Sequence, residues 1–211
     1  MRKTTEIKWI DVSESEKTEY VKQIDIFCKW FSDSFNVPIY LIYGTLLGCV
    51  REHNFIDNDD DVDLAYLSKH TKFEDVFKEM LEINRVCDNL RLIKTFGQGS
   101  GLPRYCGHSH IFSKNKKCIF DVWTSWIDEK GKYNFYTMGK NINQDVLLPL
   151  KLNTLRDKTF LVPNKSKKLL SYLYTDEWKT PLSRKSYQYR KFHWKPLVTI
   201  YNDMLKKKDL A

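Results

Sequence analysis

No apolar run in the sequence is long enough to span a bilayer, so no transmembrane segment is predicted. The first residues, MRKTTEIKWIDVSESEK, lack the apolar stretch of a secretory signal. That predicts a soluble, cytoplasmic protein. No CxxC pair occurs, and the five cysteines, Cys28, Cys49, Cys87, Cys106 and Cys118, are an odd number. Both facts argue against a disulfide framework and for reduced, buried thiols. Cys106, His108, His110 and Cys118 carry zinc-type donors, but their spacing matches no standard zinc pattern, and zinc is not the expectation. The glycine-rich run Gly97-Gln98-Gly99-Ser100-Gly101 lacks the Gly-Lys-Ser/Thr ending of a P-loop and reads as a flexible connection. There is no nucleic-acid recognition motif, and the basic residues form no single periodic stripe, so no nucleic-acid partner is expected.

What is present is ample core material. The 211 residues are 42% hydrophobic, with 6 Trp, 12 Tyr and 12 Phe. That composition predicts order for most of the length. We read one domain over 1–211, with a core at about 14–181 and a basic helical extension at about 182–211. The net charge of +8 is unevenly placed: residues 151–211 hold 15 Lys/Arg against 5 Asp/Glu. A basic final third beside an acidic cluster suits an anionic ligand. Its last lysines, Lys206-Lys207-Lys208, could also touch an anionic membrane surface, at the inner face of the membrane, though three are too few for an anchor.

Ser13 with Glu16 has the form of a capping box. Behind it Tyr20, Ile24, Phe27, Phe31 and Phe35 recur at helical spacing and predict a helix over 14–35. The run Val37–Tyr43 suits a buried strand. Gly44-Thr45 breaks it, and Thr45 is placed to cap a short helix carrying Leu46, Leu47, Cys49 and Val50. The open N–H groups of such a helix start make a phosphate seat. Further on, the patterns predict a helix over 72–85, a strand at Leu90–Thr95 and a hairpin of about 103–112 with 117–123. Thr159–Asn164 reads as a strand, Lys167–Tyr174 as a helix capped by Ser166, and Pro196–Lys208 as a terminal amphipathic helix.

Between these elements lies Asp57-Asn58-Asp59-Asp60-Asp61-Val62-Asp63-Leu64. As a strand it would place Asp59, Asp61 and Asp63 on one face. Three like charges there repel, and Asp is a poor strand former. A hard divalent cation resolves the conflict. An EF-hand does not fit, because Val62 or Leu64 would stand where its glycine belongs and Ser68 or His70 where its final Glu belongs. In Cys118-Ile119-Phe120-Asp121-Val122-Trp123 one carboxylate stands in an apolar strand, costly unless paired or metal-bound. Asp121 is therefore the candidate to complete a site with Asp61 and Asp63. His108 and His110, on the neighbouring strand, read as ordinary hydrogen-bonded or exposed histidines. Three such carboxylates can hold one or two Mg²⁺ (or Mn²⁺) ions for transfer at a phosphorus atom.

The segment Gly44-Thr45-Leu46-Leu47-Gly48-Cys49-Val50-Arg51, then Phe55-Ile56 and Asp59-Asp60-Asp61-Val62-Asp63-Leu64, closely resembles the LicD/fukutin family of phosphotransferases. Phe120-Asp121-Val122, Leu148-Pro149-Leu150, Val162-Pro163-Asn164 and Tyr174 through Trp178 to Thr180-Pro181 resemble its later blocks. The resemblance implies an α/β, nucleotidyltransferase-like mixed sheet with flanking helices. It implies a CDP-linked small alcohol as donor, a hydroxyl of a glycan or polysaccharide as acceptor, and CMP as leaving group. By motif match Asp61, Asp63 and Asp121 become catalytic metal ligands and Asp59 an accessory ligand. Gly44, Thr45 and Arg51 become substrate-binding residues, with the Arg51 guanidinium as phosphate clamp. One of the aspartates, Asp121 foremost, would take the proton of the attacking hydroxyl. The chain departs from the family pattern at Asn58, where Trp is frequent, and at Thr175, where a small residue is usual. The competing readings are a nucleotidyltransferase that releases pyrophosphate and a non-catalytic module that keeps the fold.

Overall fold

A computed structural model describes residues 8–92, 108–113, 118–135 and 138–181. The predicted strand at 93–95, the 97–101 loop, Cys106, the terminal helix and the basic extension lie outside the described residues.

Helix α1 spans Glu14–Phe35 and has both halves of the capping box: Ser13 accepts from the Glu16 N–H, and Glu16 accepts from the Ser13 N–H. Asn36 ends it in the left-handed region at φ 52, which Asn tolerates. Its buried stripe is Val21, Ile24, Phe27 and Phe31. Phe27 packs on Phe120 with ring centroids 4.5 Å apart, seating the helix on the sheet.

Strand β1 is Ile39–Leu41, shorter than the apolar run predicts. The chain leaves the strand early because Tyr43 turns into the left-handed region at φ 44. That opens helix α2, Tyr43–Arg51, with Ile42 rather than Thr45 at its cap position. Strand β2 is Asp63–Leu67, helix α3 is Phe73–Asn89, and strands β3 and β4 are His108–Phe112 and Ile119–Ile127. Leu90 closes α3, and residues 90–91 form a turn where a strand was expected. Strands β5, Lys132–Phe135, and β6, Met138–Asn143, add a hairpin that the sequence pattern did not predict. Among the described residues the strands β7, Lys151–Leu155, and β8, Lys158–Val162, pair only with each other. Helix α4 runs Ser166–Tyr174. Ser166 does not cap it but lies inside, its hydroxyl donating to the Pro163 carbonyl at 2.6 Å.

The six-stranded sheet has the order β1-β2-β4-β5-β6, with β3 also on β4. All pairs are antiparallel except β2 with β4. This is the α/β fold with a mixed sheet and flanking helices that the resemblance implies. Strand β4 is the organising strand: β2 runs along one edge, while β3 and then β5 share the other. Strand β2 is buried on both faces, so polar–apolar alternation is absent from it, as for central strands generally. Buried hydroxyls in this core are paired. Tyr40 Oη donates to Ser125 Oγ at 2.8 Å, and Ser125 Oγ donates to the Tyr66 carbonyl at 2.7 Å. Among the described residues no helix is long and apolar enough to cross a membrane.

Candidate active site

The parallel pairing of β2 with β4 sets Asp63 directly opposite Asp121. Both stand at the start of the shared ladder, where the 57–62 segment enters β2. That segment is irregular, so Asp59 and Asp61 are not strand neighbours of Asp63 as the alternation predicted. They reach it by a loop. Carboxylate oxygens of Asp61, Asp63 and Asp121 nevertheless lie within 4.8 Å of one another, as do those of Asp59, Asp60 and Asp61. A hard cation with bonds of about 2.1–2.4 Å spans oxygens up to about 4–5 Å apart. An all-oxygen donor set of this kind fits such a cation.

The acidic loop is held from the N-terminal side. The Trp9 N–H donates to the Asp59 carbonyl at 2.8 Å and the Ile10 N–H to the Asp57 carbonyl at 3.0 Å. Trp9 Nε1 donates to the Asp61 carbonyl at 3.3 Å, and the indole stacks on Phe55 with centroids 3.9 Å apart. Sequence reasoning gave Trp9 no role in the site. Nothing local marks it, because its partners are some fifty residues away.

Gly44 and Thr45 serve the carboxylates directly. The Gly44 N–H donates to Asp63 Oδ2 at 3.2 Å, and the Thr45 hydroxyl accepts from the Asp63 N–H at 2.9 Å. Thr45 is thus a clamp on β2, and the expected helix cap is corrected. The open N–H of the α2 start, predicted as a phosphate seat, here faces a carboxylate. A Cβ on Gly44 would run into the Asp59 carboxylate. Gly44→Ala is therefore expected to push Asp59 out of the cluster. It should weaken divalent-cation binding about tenfold with little loss of fold, a comparison calorimetry can make directly.

Two aromatic residues frame Asp63. Trp123 Nε1 donates to Asp63 Oδ1 at 3.1 Å, and Tyr43 packs edge-on against the Trp123 ring at 5.1 Å. Tyr43 holds this place with φ 44, a costly conformation for a bulky residue. Trp123 could have been found: it lies two residues after Asp121, and in a strand that is the same face. His108 and His110 also belong here. His110 Nδ1 lies 2.9 Å and His108 Nε2 3.1 Å from the Asp121 carboxylate. Cys118 is buried and joins no metal-competent group among the described residues.

These surroundings drive the two opposed carboxyls apart. Burial first, then the charges of Asp61, Asp121 and Asp59, push the Asp63 carboxyl well above the ordinary carboxylate range, against the Trp123 hydrogen bond. Burial also works against charge on Asp121, but hydrogen bonds from His108 and His110 outweigh it and bring that carboxyl down to about 2. Asp121 is the fixed negative charge of the site, and Asp63 is the strained one.

Arg51 lies at the end of α2. Its Nε and Nη2 donate to Glu52 Oε1 at 2.9 and 2.6 Å, and its Nη1 to the Trp178 carbonyl at 3.0 Å. It ties α2 to the C-terminal block. Thr175, between α4 and Trp178, sits at φ 61 and ψ −171. That region is nearly reserved for glycine, which gives a backbone reason for the small residue usual there.

A family model described as LicD/FKTN/FKRP, nucleotidyltransferase domain, matches residues 36–165, more than half of the chain. The chain belongs to this family. The matched segment contains Asp61, Asp63, Asp121, the two histidines and Trp123, and so covers the whole cluster described above. LicD-family membership points to a transferase with a phosphotransferase-like role in glycan modification. Comparison with curated proteins finds no match.

Proposed function

We propose that this LicD-family chain transfers a phospho-alcohol from a CDP-linked donor to a hydroxyl of a glycan or polysaccharide, releasing CMP. The observation that carries the reading is the convergence of Asp61, Asp63 and Asp121 within one cation's reach beside the Gly44-Thr45 turn. Asp61, Asp63 and Asp121 would hold Mg²⁺ or Mn²⁺, with Asp59 as accessory ligand. Such an ion, when bound, grips phosphate oxygens and absorbs charge that develops on them. Asp63 then gains the positive partner that its repelled charge lacks.

Around the donor the chain's own residues divide the work. Gly44 and Thr45 keep Asp63 oriented, and Trp123 fixes its second oxygen. Arg51 would clamp a donor phosphate by exchanging Glu52 for it, a guanidinium being suited to phosphate oxygens. The proton of the attacking hydroxyl needs an acceptor. One of the aspartates would take it. A cation on Asp63 stabilises the charged form of that group, so its raised carboxyl in the metal-free site does not make it the base.

The test is product analysis with Mg²⁺ and, in parallel, CDP-choline, CDP-ribitol, CDP-glycerol and CTP. Release of CMP from one CDP-alcohol in the presence of a polyol or glycan acceptor is the expected result. Pyrophosphate release from CTP would replace this reading with nucleotidyl transfer. Neither product would favour a non-catalytic module.

A further inference from the structure

Strand β3 brings two imidazoles to the cluster from the edge of β4 that faces away from β2. His108 and His110 are two residues apart on one strand and share a face. His110 stands directly opposite Asp121, and His108 opposite Trp123. The donor atoms of His108, His110 and Asp121 fall within 4.8 Å of one another. All three are partly buried, with side chains 24%, 21% and 13% exposed. They are therefore shielded yet reachable by an ion.

Asp121 thus belongs to two donor sets of different chemistry. With Asp61 and Asp63 it is all oxygen, which suits Mg²⁺. With the histidines it is two nitrogens and one oxygen, which suits zinc and its neighbours among the transition metals. Each histidine addresses a different oxygen of Asp121: His110 faces Oδ1 and His108 faces Oδ2. Tetrahedral bonds of about 2.0–2.1 Å set neighbouring donors about 3.3 Å apart. The 2.9 and 3.1 Å pairs, each on its own oxygen, are near that spacing, and all three donors lie within 4.8 Å of one another. His108 is also preorganised. The His108 ring stacks flat on Trp123 at 4.0 Å and 8°, and Trp123 is the same residue that fixes Asp63.

We propose that His108, His110 and Asp121 form a second cation site, selective for a nitrogen-preferring divalent ion such as Zn²⁺ or Co²⁺, with Asp121 bridging it to the carboxylate site. Three protein donors leave a position open, the donor count of catalytic zinc sites and not of closed structural ones. The inference shares Asp121 with the phosphotransfer reading but does not rest on it, since it concerns metal binding alone.

The experiment is a Co²⁺ titration of the full chain, followed by its visible absorption, and a matching Zn²⁺ titration by calorimetry. One Co²⁺ per chain with the intense bands of a four- or five-coordinate, nitrogen-bearing site is expected. Equimolar Zn²⁺ should displace it, and excess Mg²⁺ should not. His110→Ala should lower Zn²⁺ affinity at least about 10–100-fold. Asp61→Asn should leave both the spectrum and the Zn²⁺ affinity close to wild type. If His108→Ala disturbs the Trp123 stack, His110→Gln, which leaves that stack alone, carries the same test. A pale six-coordinate spectrum that is unchanged in His110→Ala would overturn the proposal. So would Zn²⁺ binding lost in Asp61→Asn but kept in His110→Ala, or a sulfur-to-cobalt charge-transfer band. In each of those cases the histidines act only as hydrogen-bond donors that orient Asp121.

Discussion

Asp63→Asn is expected to cut transfer about a thousandfold or more, about 4 kcal/mol of lost transition-state stabilisation, while the chain stays folded. The expectation follows from where Asp63 stands. It is the buried carboxylate of the trio, and it faces Asp121 across the only parallel pair among the described strands. Asparagine has nearly the same shape and keeps one acceptor oxygen for the Gly44 N–H or the Trp123 Nε1–H. It cannot supply the negative charge a divalent cation needs. The fold itself gains nothing from that charge, because burial and three neighbouring carboxylates oppose it. Activity and thermal unfolding measured on the same preparation decide the matter. A variant that keeps more than a tenth of wild-type activity would remove Asp63 from the chemistry. A variant that loses activity only by unfolding would make its role structural.

The second large effect concerns the cation and stability. The Asp63 carboxyl is raised in the fold above its unfolded value, so the fold favours its protonated form. That contribution is fully present below the unfolded value near 3.8 and is lost as pH rises through the raised one. Asp121 has the opposite sign: its contribution is present above the unfolded value and is lost as pH falls toward about 2. Above its raised value the metal-free protein therefore carries the cost of an ionised Asp63 among like charges. Saturating Mg²⁺ should relieve it. At a hundred times the dissociation constant, binding alone stabilises by about 2.7 kcal/mol, or roughly 5–10 °C in Tm for a chain of this size. The gain should shrink at pH values low enough to protonate Asp63. Asp61→Asn, which removes one of the charges acting on Asp63, should raise the Tm of the metal-free protein, by on the order of 1 kcal/mol in stability, and reduce the Mg²⁺ gain. Equal Mg²⁺ shifts in wild type and Asp61→Asn would contradict this account.

Much of this arrangement is legible in the sequence where the governing interactions are local. The Ser13/Glu16 box and the aromatic stripe give α1 to its end residues, because caps and periodicity act within one helix. The isolated carboxylate in an apolar run gives Asp121. The hairpin of β3 and β4 is legible for the same reason. What the pattern misses is nonlocal. The direct register of Asp63 with Asp121 depends on how β2 and β4 pair across nearly sixty residues. Trp9 and Ile10 hold the acidic loop by three bonds to its backbone, two of them from Trp9, that leave no mark on their own neighbours. Thr45 looks like a helix cap because Ser and Thr usually cap. Tertiary packing instead starts the helix at a left-handed Tyr43, with Ile42 at the cap position, and turns the hydroxyl to β2. His108 and His110 read as ordinary hydrogen-bonded or exposed histidines, whereas both are partly buried and lie within 3.1 Å of one carboxylate. Only the strand pairing reveals that their partner is Asp121.

The measurement that tests the central claim most directly is calorimetric titration of CMP into the wild-type chain and into Asp63→Asn, each with and without Mg²⁺. UMP and AMP serve as controls. CMP binding is expected to require Mg²⁺, to exceed that of UMP and AMP, and to disappear in Asp63→Asn. CMP binding of equal strength with and without Mg²⁺, or unchanged in Asp63→Asn, would contradict that expectation, because the nucleotide would then be held by something other than the carboxylate centre.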